Sequence, residues 1–212
     1  LVDGSLDQSE ELLARLDVVV ASVHSKLRME RMEMTRRMVA AVASPHVDIL
    51  GHCTGRKLVG RGRPPSVFDA EIVFAACAQF DTALEINCRP ERQDPPDELV
   101  DLALEWDLSF AIDTDAHAPG QMEWQAYGCD KAVRHGIEPA QVVNAMGADA
   151  AGKQELETAL VASARIIVDD PAQAGSVVER LHRIQGSDSP VLIERFVPGA
   201  EVAVEGLLRD GS

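Results

Sequence analysis

Short apolar runs alternate with amphipathic stretches along the first two-thirds of the chain. Four runs have the length and composition of buried β-strands: residues 17–23, 47–51, 83–87 and 110–114. Between them, apolar residues recur at helical spacing, which predicts a helix after each strand. Repeated strand–helix units with continuously apolar strands indicate an α/β fold. We therefore predict that the four strands lie side by side and parallel.

The predicted helices carry recognisable start signals. The first covers residues 30–42, with several Met and Val residues on one side. The second opens with a Ser-x-x-Asp capping box at Ser66–Asp69 and continues through Phe80. The third is capped by Asp94 and has prolines in its first turn. We expect Cys77, which falls among the apolar positions of the second helix, to lie in the core.

The pattern changes near Asn144, where small residues become frequent. Beyond it we predict a helix at 155–164, a short strand at 165–168, a helix at 177–184 and a hairpin formed by 191–196 and 201–207. These elements would form a small α+β carboxy-terminal appendage. The predicted domains are therefore 1–143, 144–175 and 176–212.

Histidines and carboxylates follow the apolar runs. Asp113, Asp115 and His117 alternate, so on a continuing strand they would share one face. His24 and His52 directly follow the first two strands. Each alone could be a hydrogen-bonded loop histidine, but parallel strands place their carboxyl ends at one edge of a sheet. Three histidines and an aspartate at that edge indicate a site for Zn, Mn or Fe.

The composition narrows the function classes. With 46% hydrophobic and 26% charged residues, the chain is typical of a globular protein, and no stretch is apolar enough to span a membrane. Its four cysteines lack metal-binding or disulfide spacing, so we expect a cytoplasmic protein. The net charge of −15 disfavours a broad, non-specific grip on nucleic acid.

Basic residues nevertheless cluster in the loops after the strands. They are Lys26, Arg28, Arg56, Lys57, Arg61, Arg63, Arg89 and Arg92. They are either solvated loop charges or a local anion pocket suited to a phosphate ester, and we favour the pocket.

Four sequence words resemble the polymerase-and-histidinol-phosphatase (PHP) family. They are Val-Ala-Ser-Val-His24-Ser, Asp-Ile-Leu-Gly-His52, Leu-Glu-Ile-Asn87-Cys-Arg-Pro and Ile-Asp-Thr-Asp115-Ala-His117-Ala-Pro-Gly. The resemblance implies a distorted, TIM-like PHP barrel of βα units that binds a metal cluster and hydrolyses phosphate esters. It further implies that His24, His52, Asp115 and His117 are metal ligands, that Asp115 and His117 are catalytic, and that Arg89 lies near the substrate phosphate.

The chain also departs from the family pattern. The His-x-His motif, further histidines and bridging glutamate of the family's first half are not found in the sequence, and four of roughly seven βα units are expected. We therefore expect a partial barrel and a phosphoesterase of reduced activity. The alternative is a catalytically inactive chimeric protein with residual metal binding. If active, its substrate would be a small phosphorylated compound or a nucleic-acid end. Open sheet edges could favour a homo-oligomer, and no membrane partner is expected.

Two tail segments resemble other families. Residues 144–170 resemble ornithine cyclodeaminase and mu-crystallin, with Asp149 matching an acid/base residue, and residues 191–206 resemble the adenine hinge of ATP-grasp ligases, with Glu201 matching a ribose contact. Neither segment is accompanied by its phosphate-binding loop. We therefore expect no nucleotide cofactor, and three such pieces in one chain are typical of a chimera.

Overall fold

The computed structural model of the protein describes residues 1–145. The predictions for the tail after Ala145 lie outside the described residues. The helices are α1 (Glu10–Leu13), α2 (Arg31–Val42), α3 (Ala70–Phe80), α4 (Asp97–Glu105) and α5 (Gln125–Arg134). The strands are β1 (Val20–Ala21), β2 (Ile49–Leu50), β3 (Ala83–Asn87) and β4 (Phe110–Asp113). Short 3-10 helices cover Pro119–Trp124, Pro139–Gln141 and Val143–Ala145. None of these helices is long and apolar enough to cross a bilayer.

The four strands form one parallel sheet in the order β1-β2-β3-β4. This confirms the predicted α/β architecture. Beyond β4, Val142 makes a parallel bridge to Phe110, and the Asn144 side chain bonds both the amide and the carbonyl of Ile112. The backbone at 142–144 therefore packs against the β4 edge. Closure of the sheet into a TIM-like barrel stays a prediction, as do the domain boundaries.

The first two strands are shorter than predicted, and a side chain explains part of the difference. The Val19 amide donates to the Asp48 carboxylate at 2.7 Å, so at that point a side chain replaces a strand partner. Regular pairing then covers Val20 with Ile49 and Ala21 with Leu50. In contrast, β3 has the predicted bounds, and all five of its residues are buried.

The main apolar core joins the sheet to its helices, and two smaller buried clusters accompany it. The largest fully buried side chains come from α2, α3, β2, β3 and β4, and they are Phe74, Phe110, Met34, Met38, Leu50, Leu84, Ile86, Ile112, Val42 and Val73. Cys77 is also fully buried, as predicted, and burial raises the pKa of its thiol to about 12. All four cysteines are buried, and none forms a disulfide. The core therefore fixes the strands whose carboxyl ends carry the candidate site.

Two predicted helix starts are wrong. Helix α3 is capped by Asp69, whose carboxylate accepts from the Ile72 amide at 3.3 Å, whereas Ser66 donates its hydroxyl to the Leu27 carbonyl. Helix α4 follows Pro96, which has no side-chain cap. Asp94 is fully buried and instead accepts from the Thr54 hydroxyl at 2.8 Å. Both side chains find a partner on another loop, and this information is absent from local spacing.

Candidate metal centre

The carboxyl ends of β1 and β2 bring two histidines together. His24 and His52 place their Nε2 atoms 2.8 Å apart, and their rings stack with centroids 5.0 Å apart. Two ring nitrogens on one tetrahedral zinc ion would be about 3.3 Å apart, given the usual Zn–N distance. An increase of about 0.5 Å in the distance between the two Nε2 atoms would therefore allow both to bind one zinc ion. We call these two residues the histidine pair.

Behind the histidine pair lies Glu85, a residue that the sequence reasoning missed as a site residue. Its side chain is 3% exposed, and its Oε2 atom accepts from the His52 amide and lies 3.1 Å from His52 Nδ1. Its Oε1 atom accepts from Asn87 Nδ2 at 3.0 Å. Glu85 therefore keeps the Nδ1 proton on His52 and leaves Nε2 as the ligand atom, the usual arrangement behind metal-bound histidines.

The signal for Glu85 was present in the sequence. It stands in the middle of the apolar run Ala83-Leu-Glu-Ile-Asn87, where a charge on a strand buried on both faces needs a compensating partner. Glu85 and Asn87 are two residues apart and therefore share one face of β3. A prediction based only on residues that follow each strand does not include Glu85, which lies two residues before the end of the third strand.

The surroundings of His52 favour the neutral form of its imidazole ring. The pKa of His52 is lowered, first because burial disfavours the imidazolium and second because the Arg92 guanidinium is nearby. Neutral imidazole is the form that binds metal ions. The charge state of His52 therefore agrees with the ligand role that the sequence predicts.

The end of β4 forms the second half of the candidate site. The prediction that Asp113, Asp115 and His117 share one face of a continuing strand is wrong, because β4 ends at Asp113 and Asp115 has a left-handed φ angle of 48°. Its carboxylate lies 3.4 Å from Arg89 Nη1, 3.4 Å from Arg92 Nε and 3.5 Å from Asn87 Nδ2. This backbone conformation costs a non-glycine residue about 1–3 kcal/mol of free energy, and such strained residues are frequent at functional sites. We call Asp115, His117 and these two arginines the Asp115 arm.

His117 is the most exposed of the four predicted ligands, with 48% of its side chain accessible. Its Nδ1 atom lies 2.8 Å from the Asp115 carbonyl, which can only accept, and 3.1 Å from Arg89 Nη1, which can only donate. These two contacts require opposite tautomers of the His117 ring. The His117 amide donates to the Gln121 side chain at 2.7 Å, and this contact positions the backbone.

The histidine pair and the Asp115 arm are linked by a hydrogen-bonding side chain but do not form one ligand cluster. Asn87 contacts both Glu85 and Asp115, so one amide links the histidine pair to the Asp115 arm. Within residues 1–145, however, no group of three or more His, Cys, Asp or Glu side chains converges in a geometry that would hold a metal ion. The described residues therefore fit a metal in part: two nitrogens converge, whereas Asp115 is paired with arginines.

The predicted anion pocket divides into two groups. Arg89 and Arg92 lie in the Asp115 arm, and Arg89 also pairs with Glu91 at 3.0 Å and stacks on the Trp124 ring at 5.4 Å. Among the described residues, buried Arg92 Nε and Nη1 lack a hydrogen-bond partner, although Nε is within ion-pairing distance of Asp115. Lys26 belongs to neither group, and the remaining five cations line a depression beside a neighbouring loop, namely Arg28, Arg56, Lys57, Arg61 and Arg63.

Comparison with known proteins places this geometry in context. The chain is 34% identical over 145 residues to the DNA polymerase/3'-5' exonuclease PolX of Bacillus subtilis, an alignment that covers 68% of this chain and 25% of that protein. It is 28% identical over 122 residues to a protein named "Probable phosphatase" from Caldicellulosiruptor bescii, covering 54% of this chain and 48% of the relative. A "Probable phosphatase" from Caldanaerobacter subterraneus is 33% identical over 88 residues, 40% of this chain and 32% of that protein.

These relatives support a PHP-like family for the chain, and their names suggest a phosphoesterase. No protein-family model matches it. The chain spans from a quarter to about half of the length of these relatives. An activity of this chain like that of its relatives is therefore a proposal.

Proposed function

We propose that the chain is a metal-dependent phosphoesterase of PHP type. The observation that carries the proposal is the histidine pair, whose Nε2 atoms are 2.8 Å apart with the buried Glu85 carboxylate against His52. Buried histidines oriented by a carboxylate are the usual construction of a transition-metal site. His24, His52, Asp115 and His117 would hold a Zn, Mn or Fe ion. Such an ion lowers the pKa of a bound water and stabilises charge on a phosphate oxygen.

The Asp115 arm would bind and orient the phosphate. Arg92 has buried guanidinium nitrogens without a hydrogen-bond partner among the described residues, and Arg89 is oriented by the Trp124 ring and Glu91. Guanidinium groups recognise phosphate oxygens through paired donors. A phosphate oxygen reaching these arginines would compete with the Asp115 carboxylate and release it toward the histidine pair. Asp115 and His117 are then the residues expected to contact the reacting groups.

We propose that the activity of the chain is low. Within residues 1–145 two ligand nitrogens converge, and a site that must rearrange to gain further ligands binds metal more weakly than a preformed one. The competing proposal is an inactive chimeric protein whose metal binding is residual. It is favoured by the pairing of Asp115 with two arginines, which neutralises the carboxylate that a metal would need.

Hydrolysis assays distinguish these proposals. The purified chain would be incubated with Mn²⁺ or Zn²⁺ and either p-nitrophenyl phosphate or an oligonucleotide labelled at its 5' end. The proposal expects slow, metal-dependent release of phosphate or of 3'-terminal nucleotides. The His52→Ala variant should lose this activity, whereas His46→Ala, a histidine outside the site, should retain it. Equal rates in the two variants, or no turnover with any metal, would support the inactive chimera.

A further inference from the structure

A basic hairpin next to the candidate centre forms a separate concave surface. Lys57 and Arg63 exchange two backbone hydrogen bonds, of 2.9 and 2.8 Å, and close a tight loop between them. A depression of about 510 Å³ lies against this loop. Its lining includes five cations, namely Arg28, Arg56, Lys57, Arg61 and Arg63. We call these residues the basic hairpin pocket.

Three of the five cations of the pocket make no ion pair with a described residue. Among the described residues, Arg28, Lys57 and Arg61 have no ion-pair partner, and all three are exposed. Five cations around one depression, four of them on the same loop, contrast with the net charge of −15 of the whole chain. A bound anion would reduce the repulsion among these cations. This distribution indicates a ligand with more than one negative charge.

The pocket is held in place by its backbone contacts. Arg56 donates from Nε to the Arg92 carbonyl at 3.1 Å and from Nη2 to the Gln93 carbonyl. Arg63 Nε donates to the Gly55 carbonyl at 2.6 Å. The Leu58 amide donates to the Glu91 carbonyl at 2.7 Å. The hairpin is therefore hydrogen-bonded to the loop that carries Arg89 and Arg92 of the Asp115 arm.

The shape and chemistry of the hairpin fit an extended chain of phosphates. Gly60 and Gly62 adopt left-handed φ angles of 71° and 66°, and no atom lies within 4 Å of where a Gly60 side chain would begin. A backbone can therefore approach the hairpin tip closely. Leu58 and Val59 are 52% and 64% exposed beside the cations and could contact the apolar faces of bases. No aromatic side chain lines the pocket within the described residues, so stacking would contribute little.

We propose that the basic hairpin pocket binds the phosphodiester backbone of single-stranded nucleic acid without sequence preference. Lys57 and Arg61 contact successive phosphates, and Arg56 holds the hairpin against the loop of Arg92. Binding is electrostatic, weak and strongly dependent on salt, because the remainder of the chain repels a polyanion. The inference goes beyond the proposed hydrolysis, since it requires neither a metal nor turnover.

The test is fluorescence anisotropy of a labelled ten-nucleotide oligo-dT, titrated with the full chain in EDTA at 25–200 mM KCl. Lys57→Gln combined with Arg61→Gln should weaken binding at least about fivefold at low salt. It should also reduce the slope of log K against log salt by about 1.4, because each single-strand phosphate contact contributes about 0.7. Arg15→Gln combined with Arg36→Gln removes the same charge outside the pocket and should change affinity less than twofold.

Two further experiments identify which phosphate-containing ligand the pocket binds. Inorganic phosphate or pyrophosphate at millimolar concentration should compete weakly with the oligonucleotide, whereas an unlabelled oligonucleotide should compete at its own dissociation constant. Equal affinity of the pocket variant and the control variant would overturn the proposal. Binding to phosphatidylserine vesicles without binding to the oligonucleotide would also overturn it and would assign the pocket to a membrane surface. Circular dichroism of each variant checks that the fold is retained.

Discussion

The two halves of the candidate centre differ in burial and in the identity of their partners. In the histidine pair, His52 and Glu85 have 8% and 3% of their side chains exposed, and a carboxylate fixes the imidazole. In the Asp115 arm, His117 is 48% exposed, and the carboxylate is neutralised by arginines. The first half is organised before any ligand arrives, whereas the second must exchange partners. We therefore expect metal affinity and folding stability to be coupled in the histidine pair and largely separate in the Asp115 arm.

The largest effect is expected from Glu85→Gln, which tests the histidine pair directly. A glutamine amide cannot accept from both His52 and Asn87 as the carboxylate does, so at least one buried donor loses its partner. We expect a loss of about 3 kcal/mol in the free energy of unfolding. Removing the carboxylate behind a metal-bound histidine should also weaken metal binding by about 10–100-fold.

Glu91→Gln is the matched control for this substitution. Glu91 pairs with Arg89 in the Asp115 arm, and a third of its side chain is exposed. Urea unfolding should show a change below about 0.5 kcal/mol, as is usual for exposed ion pairs. Similar losses in the two variants would mean that the halves do not differ in the way described.

The second comparison uses glycines, one near each half. A Cβ at Gly51 would collide with the Ser22 hydroxyl and lie 2.9 Å from Val20 Cγ1, directly before His52. We expect Gly51→Ala to lower the free energy of unfolding by about 2 kcal/mol through overpacking. A Cβ at Gly120 would meet no atom within 4 Å. Gly120→Ala should therefore be nearly neutral, and a thermal melt showing equal destabilisation of both variants would contradict the packing described near His52.

A smaller effect is expected from Asp115→Asn. The substitution removes the carboxylate that Arg89 and Arg92 share, and Arg89 keeps its contacts with the Asp115 carbonyl and with Glu91. We expect a loss of about 1 kcal/mol that decreases in 1 M NaCl, since screening weakens the repulsion between the arginines. Denaturation at low and high salt measures this difference. A loss as large as that of Glu85→Gln would show that the Asp115 arm is as tightly built as the histidine pair.

The smallest effect is expected at Asp97, which lies outside the Asp115 arm. Asp97 pairs with Lys131, and Lys131 donates to the carbonyl of Gln93, the residue after Arg92. Burial opposes ionisation of Asp97, but hydrogen bonds and charge from Lys131 and Arg134 outweigh it and lower the pKa to about 2. A lowered carboxyl pKa contributes stability above pH 4, and this contribution is lost as the pH falls toward 2.

Because Asp97 is 53% exposed, solvent screening should keep its contribution below about 1 kcal/mol. Asp97→Asn should therefore lower stability slightly above about pH 4, and its difference from the wild type should disappear as the pH falls toward 2. A difference that is as large at pH 2 as at neutral pH would contradict the lowered pKa of Asp97.

Periodicity predicted the parts of the fold that depend on local pattern. The bounds of β3 and the parallel strand order follow from apolar runs separated by helices, and both are confirmed. The cap at Ser66 was wrong because its hydroxyl bonds a distant loop carbonyl. Strand alternation failed at Asp115 because the chain turns left-handed directly after β4. Contacts between distant loops and departures from regular backbone are not encoded in residue spacing.

The candidate site shows the same division. The sequence identified His24 and His52, and the structure brings them together. It overlooked Glu85, and it assigned Arg89 and Arg92 to one anion pocket with cations that line a separate depression. Whether His24, His52, Asp115 and His117 act as one ligand set stays a prediction, as do the cytoplasmic location and the homo-oligomer. The predicted failure of the tail to bind ATP or NAD lies outside the described residues.

The most direct test of the account is the metal content of the purified chain and of its ligand variants. After equilibrium dialysis against Mn²⁺ or Zn²⁺, mass spectrometry of the metal should find one ion per wild-type chain. His24→Ala, His52→Ala and His117→Ala should each reduce this value toward zero, whereas His46→Ala should retain it. One ion per chain in the His117→Ala variant would contradict the shared site, because the ion would then be bound without the Asp115 arm.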